Sequence, residues 1–142
     1  NHLRKFLQKQ WLPLSEHARG SKLLCATLPG EYHVLGLHMS ALVAATSGCQ
    51  IISLGLDADL ELILEVAKAH EVDAVLVSIS AAAPRTMTRR QLEALRDALP
   101  DAIDLVVGGG GALELEGAVK MDSLHELEQW ALAHQQGHAK RS

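Results

Sequence analysis

From Lys22 onward the chain alternates between continuous apolar runs and helical patterns, and this alternation limits the fold more than any other feature. The runs are KLLCATL (22–28), CQIISLG (49–55), DAVLVSIS (73–80) and IDLVVGGGG (103–111). None of them alternates apolar with polar residues, as a strand with one wet face does. Between them lie LGLHMSALVAATSG (35–48), DADLELILEVAKAH (57–70) and TRRQLEALRDALP (88–100), each with helical spacing. Gly48 and Pro100 stop two of these helices, and Asp57 is placed to cap the one it precedes. A weaker run, GAVKMDS (117–123), precedes SLHELEQWALAH, where Ser123 and Glu126 stand at capping-box spacing.

Strands buried on both faces, joined by helix-length connections, predict a parallel sheet with helices on both sides. The expected fold is α/β: a flavodoxin-like (Rossmann-like), doubly wound sheet of five strands with right-handed crossovers. Between Gly111 and Val119 the chain is too short for a covering helix. An extra N-terminal helix is read from Leu3, Phe6, Leu7 and Trp11, with Pro13 as its end. The expected division is therefore 1–20 as helix and connector, the tail of an upstream domain; 21–136 as the sheet domain; and 137–142 as a disordered tail. The chain begins at Asn1, which suggests a fragment or a processed product.

Composition narrows the function classes. Aromatic residues make up 3% of the chain, so its core is built from Leu, Val, Ile and Ala. Net charge is −4, and the only dense basic pairs are Arg89-Arg90 and Lys140-Arg141, which argues against a direct nucleic-acid grip. Cys25 and Cys49 lie in or beside apolar runs and read as buried free thiols of a cytoplasmic protein. No apolar run reaches membrane-spanning length, and no signal peptide is visible.

In a sheet of this kind ligands bind at the carboxyl ends of the strands. The loops there are PGEYHVLG, SISAAAPRT and GGGG, all rich in small residues that let a large ligand approach backbone closely. A dinucleotide fingerprint is missing from the first turn, and no Walker lysine follows the glycines. A phosphoacceptor domain needs an Asp at the end of the third strand, where this chain has Ser78 and Ser80. His33 is the candidate metal ligand, with Glu31 two residues away as the carboxylate that holds its second nitrogen. Taken alone, this pair better describes an ordinary loop histidine, since a closed zinc site needs more ligands.

Glu31-Tyr32-His33-Val34-Leu35-Gly36, Ser78-Ile79-Ser80 and Gly108-Gly109 together resemble the cobalamin-binding domain family, whose pattern is Asp/Glu-x-His-x-x-Gly, Ser-x-Leu, Gly-Gly. The intervening segments, 37–77 and 81–107, are 41 and 27 residues long and match the family's usual spacing. The likeness runs from about Lys22 to Ala133. The wording from Leu28 to Gly55 is most similar to the sensor domains of MerR-type transcription regulators, some of which use adenosylcobalamin to sense light.

This resemblance implies base-off, His-on binding of cobalamin, with His33 as the lower axial cobalt ligand and Glu31 tuning it. The displaced dimethylbenzimidazole tail would enter a slot lined by Ser78 and Gly108-Gly109, and Gly36 would let the following helix pack close. The cofactor would be adenosylcobalamin, methylcobalamin or hydroxocobalamin. The chain departs from the pattern at Ser80, where the family has Leu. No helical bundle precedes the sheet, and Trp11, Glu16 and His17 lie too near it to match the cap of the light sensors. Leu3–Trp11 instead reads as the end of an absent cap helix.

The function expected is a sensory module of a transcription regulator, with no catalysis of its own, an upstream DNA-binding or helical cap domain as partner, and homo-oligomers as an option. The alternatives are a corrinoid carrier of a methyltransferase or mutase, and a heme-binding or ligand-free variant of the fold. Among the remaining residues, His38 is expected to be surface or half-buried, and His70, His125, His134 and His138 solvated. Met39 is expected in the core, and Arg85, Arg89 and Arg90 at a solvated helix entry.

Overall fold

The computed structural model describes residues 2–31, 35–54 and 57–141, with side chains for those between 5 and 135. The elements are α1 (His2–His17), β1 (Lys22–Ala26), α2 (Leu35–Thr46), β2 (Gln50–Ser53) and α3 (Leu60–Ala69), followed by β3 (Ala74–Ser78), α4 (Arg85–Ala98), β4 (Asp104–Gly108), β5 (Ala118–Lys120) and α5 (Leu124–Arg141). The strands form one sheet in the order β2-β1-β3-β4-β5, parallel at every pairing. This is the flavodoxin-like arrangement the alternation predicts.

Successive strand side chains point to opposite faces, so one strand feeds two cores. Leu24, Val75, Val77, Leu105 and Val107 pack with Ile63, Ala67, Leu92 and Leu95 beneath α3 and α4. Leu23, Cys25, Leu76 and Val106 pack with Leu37, Ala41, Leu127 and Ala131 beneath α2 and α5. The chain thus leaves β1 toward one face and β3 toward the other. A crevice opens at the carboxyl edge between these two neighbours.

Several local expectations are corrected. Pro13 does not end α1; it lies exposed inside a helix that continues to His17. Tertiary contacts outweigh its lost hydrogen bond: Trp11 is buried at 2% exposure, and the Ser15 hydroxyl accepts the Ile51 N–H at 2.6 Å. Asp59, not Asp57, caps α3, its carboxylate accepting the Glu61 N–H at 3.0 Å. Asp57 takes φ +52° and accepts the Gly30 N–H at 2.6 Å instead, which ties the loop after β1 to the one after β2. At the other end, α5 runs to Arg141. Only Gly137 opposes helix there, and no proline does.

The capping reading at α5 holds, with one change. Ser123 Oγ accepts the Glu126 N–H at 3.1 Å, while the Glu126 carboxylate takes the N–H of Asp122, one residue before the cap. Both cysteines are free and buried, as expected.

Candidate functional site

Glu31 sits at the switch point. Its side chain is 7% exposed, and its carboxylate accepts the Ser80 N–H at 3.2 Å, joining the loop after β1 to the loop after β3. The Glu31 N–H in turn donates to the Leu28 carbonyl at 3.0 Å, and Thr27 Oγ1 donates to the Glu31 carbonyl at 3.4 Å. Thr27 Oγ1 also accepts the Asp57 N–H at 3.0 Å. Three loops are therefore pinned around one carboxylate. His33 lies outside the described residues, between Glu31 and Leu35, the first residue of α2.

Gly36 brings the first turn of α2 against the end of β3: a Cβ there would stand 3.2 Å from Ser78 Oγ. Ser78 closes β3 and pairs in register with Gly108, and the Ile79 N–H bonds the Gly108 carbonyl at 2.9 Å. The two glycines that follow each other here serve different ends. Gly109 has φ +96°, and any side chain would run into the Ile79 carbonyl oxygen, so the backbone itself demands glycine. At Gly108 the nearest atom to an added Cβ is Met121 Cβ, at an ordinary 3.9 Å, so the protein's own packing leaves room for a side chain.

That room is part of a slot of about 290 Å³ between α2, the ends of β3 and β4, and α5. Gly36, Ser78, Gly108 and Gly109 line it together with Met39, Ser40, Leu76 and Met121. Four of the residues singled out from the sequence thus converge on one cavity. Glu31 and Ser80 do not; they line an adjoining cavity of about 200 Å³, beside Ile79, Pro84 and Met87. Ser80, where the chain departs from the family pattern, therefore stands away from the slot.

Met39 and Ser40 were missed as lining residues, although their distances of three and four positions from Gly36 on a helix put all three on one face. Met39 was expected in the core and is instead 38% exposed at the slot.

Two histidines depart from expectation. His38 is buried at 6% exposure, and its Nδ1 accepts the Trp11 Nε1–H at 3.2 Å, which binds α1 to α2. His134 is half-buried: Nδ1 lies 2.8 Å from Ser21 Oγ, and Nε2 lies 3.1 Å from an Asp104 carboxylate oxygen. These groups lie at the amino ends of β1 and β4, on the sheet edge opposite the slot. His70 and His125 are exposed, and the side chain of His138 lies outside those described. Arg85, Arg89 and Arg90 are exposed at the start of α4, with Arg89 bonded to the Glu114 carbonyl at 3.2 Å. Among the described residues no cluster of three His, Cys, Asp or Glu side chains is placed to hold a metal, and no helix is long and apolar enough to cross a membrane.

A parallel sheet of this order, with a deep small-residue slot at its carboxyl edge, defines an α/β cofactor-binding domain. The particular family follows from comparison: residues 21–119 match the B12 binding domain, and the chain belongs to that family. A corrinoid protein of Desulfitobacterium hafniense (strain Y51) is 32% identical over 100 residues, which cover 68% of this chain and 45% of that protein. The chain thus spans less than half the length of this curated relative. Among solved structures, the monomethylamine corrinoid protein of Methanosarcina barkeri superposes with a TM-score of 0.68 at 21% identity, over 92% of this chain and 63% of that one. The methanol:cobalamin methyltransferase complex of the same organism gives 0.71 at 18% identity, over 84% and 48%.

The residues present fit cobalamin, this family's cofactor. The slot is open where Gly108 has space to spare, and the Ser78 hydroxyl lines it without a protein partner among the described residues.

Proposed function

We propose that the domain holds cobalamin base-off, with His33 supplying the lower axial nitrogen and the nucleotide tail occupying the slot lined by Gly36, Ser78, Gly108 and Gly109. The observation that carries this reading is the convergence of those four residues on one cavity, the first of them, Gly36, three residues after His33 in sequence. Bound adenosyl- or methylcobalamin would supply a cobalt–carbon bond that light or a nucleophile can cleave. The protein's residues supply the anchor: Glu31 fixes the loop at the Ser80 N–H and orients His33, and Gly36 lets α2 approach β3.

The module then serves as the sensory part of a transcription regulator. Two features support this. The wording from Leu28 to Gly55 resembles such sensors, and α2, which starts two residues after His33, is hydrogen-bonded to α1 through His38 and Trp11. A change at the cofactor would thereby reach α1. The second reading, a corrinoid carrier for methyl transfer, is favoured by the names of the relatives, which include a methyltransferase complex.

The test is reconstitution with hydroxocobalamin followed by desalting and absorption spectroscopy. Retained corrinoid with an imidazole-coordinated cobalt spectrum is expected, and His33→Ala should lose that signature. An unchanged spectrum in the variant rules out His33 as ligand. Irradiating the adenosylcobalamin-loaded protein separates the two roles: a change in elution volume supports the sensor, and methyl exchange with a methyltransferase in its absence supports the carrier.

A further inference from the structure

Asp57 takes φ +52°, a left-handed conformation that favours glycine, yet it caps no helix; Asp59 does that for α3. Its hydrogen bonds lead instead to the loop after β1. The Asp57 N–H donates to Thr27 Oγ1 at 3.0 Å, and the next N–H, of Ala58, donates to the Thr27 carbonyl at 3.1 Å. Thr27 is fully buried, so the backbone at 57 is set from the core. From there the carboxylate reaches back and accepts the Gly30 N–H at 2.6 Å, a short, charge-assisted bond. Gly30, at φ +86°, has no atom within 4 Å of where a Cβ would stand, so no packing on that side holds it in place. One residue on, the Glu31 carboxylate accepts the Ser80 N–H at 3.2 Å. The segment is thus gripped by the loop after β2 at Gly30 and by the loop after β3 at Glu31. His33 follows Glu31 by two residues, which span at most about 7 Å, so these two grips bound where an imidazole can stand.

We propose that Asp57 is a positioning residue for the axial ligand: through Gly30 it presets the chain for His33 to reach cobalt, and so strengthens the cobalt–imidazole bond. The inference rests on His33 as the lower ligand, as proposed above. Without the clasp the backbone at Gly30 samples other arrangements, and coordination then carries the entropic cost of ordering it. The Asp57 side chain is exposed, and α3 keeps its cap without it, so its effect falls on the loop rather than on the fold.

The test uses cobinamide, a corrinoid without the nucleotide tail, so that affinity reports the lower ligand and not the slot. The full chain, Asp57→Gly, Asp57→Asn and His33→Ala are each titrated and followed by absorption. Glycine takes φ +52° without strain, so Asp57→Gly removes the carboxylate and keeps the backbone. Asparagine keeps an acceptor and tolerates the same conformation. The unaltered protein is expected to give an imidazole-coordinated spectrum that His33→Ala loses. Asp57→Gly is expected to bind about tenfold more weakly, the worth of one charge-assisted hydrogen bond, with its melting temperature near that of the unaltered protein. Asp57→Asn should recover to within about threefold, a neutral acceptor being the weaker one. If Asp57→Gly binds as tightly as the unaltered protein, or Asp57→Asn as weakly as Asp57→Gly, the role of Asp57 is overturned and His33 stands as ligand. A fall in melting temperature that matches the loss of affinity makes Asp57 a structural residue and overturns the proposal as well. If His33→Ala keeps the imidazole spectrum, the reading of His33 fails and the inference with it.

Discussion

The Glu31 carboxylate accepts the Ser80 N–H across 3.2 Å, a bond between residues 49 positions apart that closes the junction of the loops after β1 and β3. Because the acceptor is buried and the donor is backbone, the bond sets the spacing of the two loops at the ligand edge. Glu31→Gln keeps an acceptor there and is expected to fold normally. Glu31→Ala leaves the Ser80 N–H unpaired and costs about 1–3 kcal/mol. It should also weaken cobalamin binding, by about tenfold if the lost bond is felt in full. Urea denaturation and corrinoid titration measure the two effects; a Gln variant as poor as the Ala variant would refute this account.

The two glycines of the Gly-Gly pair should respond in opposite ways. Gly108→Ala puts a methyl into the slot with only ordinary contact to Met121, so stability changes little while cobalamin affinity drops. Gly109→Ala imposes φ +96° on a side chain that meets the Ile79 carbonyl, which costs at least about 1–3 kcal/mol of stability. Paired melting and binding curves check this, and equal loss of stability in both variants would count against it.

Trp11 should prove part of this domain's core rather than a cap residue. Trp11→Phe retains much of the ring but removes the donor to His38 Nδ1, costing about 1–2 kcal/mol. Trp11→Ala adds a cavity beneath α1 and costs about 3–5 kcal/mol. Chemical denaturation supplies the numbers; a loss below 1 kcal/mol for the Ala variant, on the order of a surface change, would show that α1 does not hold the domain together.

Burial pushes the Cys49 thiol up to about 11 from an ordinary 9.0, against an opposing hydrogen bond from Gln135, and pushes the more deeply buried Cys25 higher still. These folded values lie above the unfolded one, so the unfolded chain releases thiol protons that the folded chain keeps. Their contribution to stability is complete below about pH 9 and is lost as the pH rises through the Cys49 value. The melting temperature should fall across that window, and less so in Cys49→Ser. At neutral pH both thiols should resist alkylation until the protein is denatured.

Much of the fold was legible in local sequence. Continuous apolar runs such as DAVLVSIS can only be strands covered on both sides, and turn residues such as Gly48 and Pro100 separate them cleanly. Four slot residues, Gly36, Ser78, Gly108 and Gly109, were legible as well, through the resemblance of their spacing to the cobalamin-binding pattern, whereas Met39 and Ser40 were not. What sequence hid were side chains whose role depends on a distant partner. His38 reads as a surface histidine until α1 is laid against it, and Pro13 reads as a stop until Trp11 and Ser15 hold the helix on either side of it. Asp57 and Asp59 are interchangeable as caps in sequence, and only the backbone geometry separates the cap from the loop clasp.

The sequence alone, then, determined the strand and helix succession, the parallel sheet, and the positions of small residues at its ligand edge, because these depend on periodicity and on single-residue backbone preference. Tertiary structure decided which of those residues share a cavity, that Ser80 holds Glu31 instead of lining the slot, and that Met39 and Ser40 of α2 line it as well. Those relationships arise from the register of β3 against β4 and the packing of α2 on the sheet, which bring together groups that no local pattern connects.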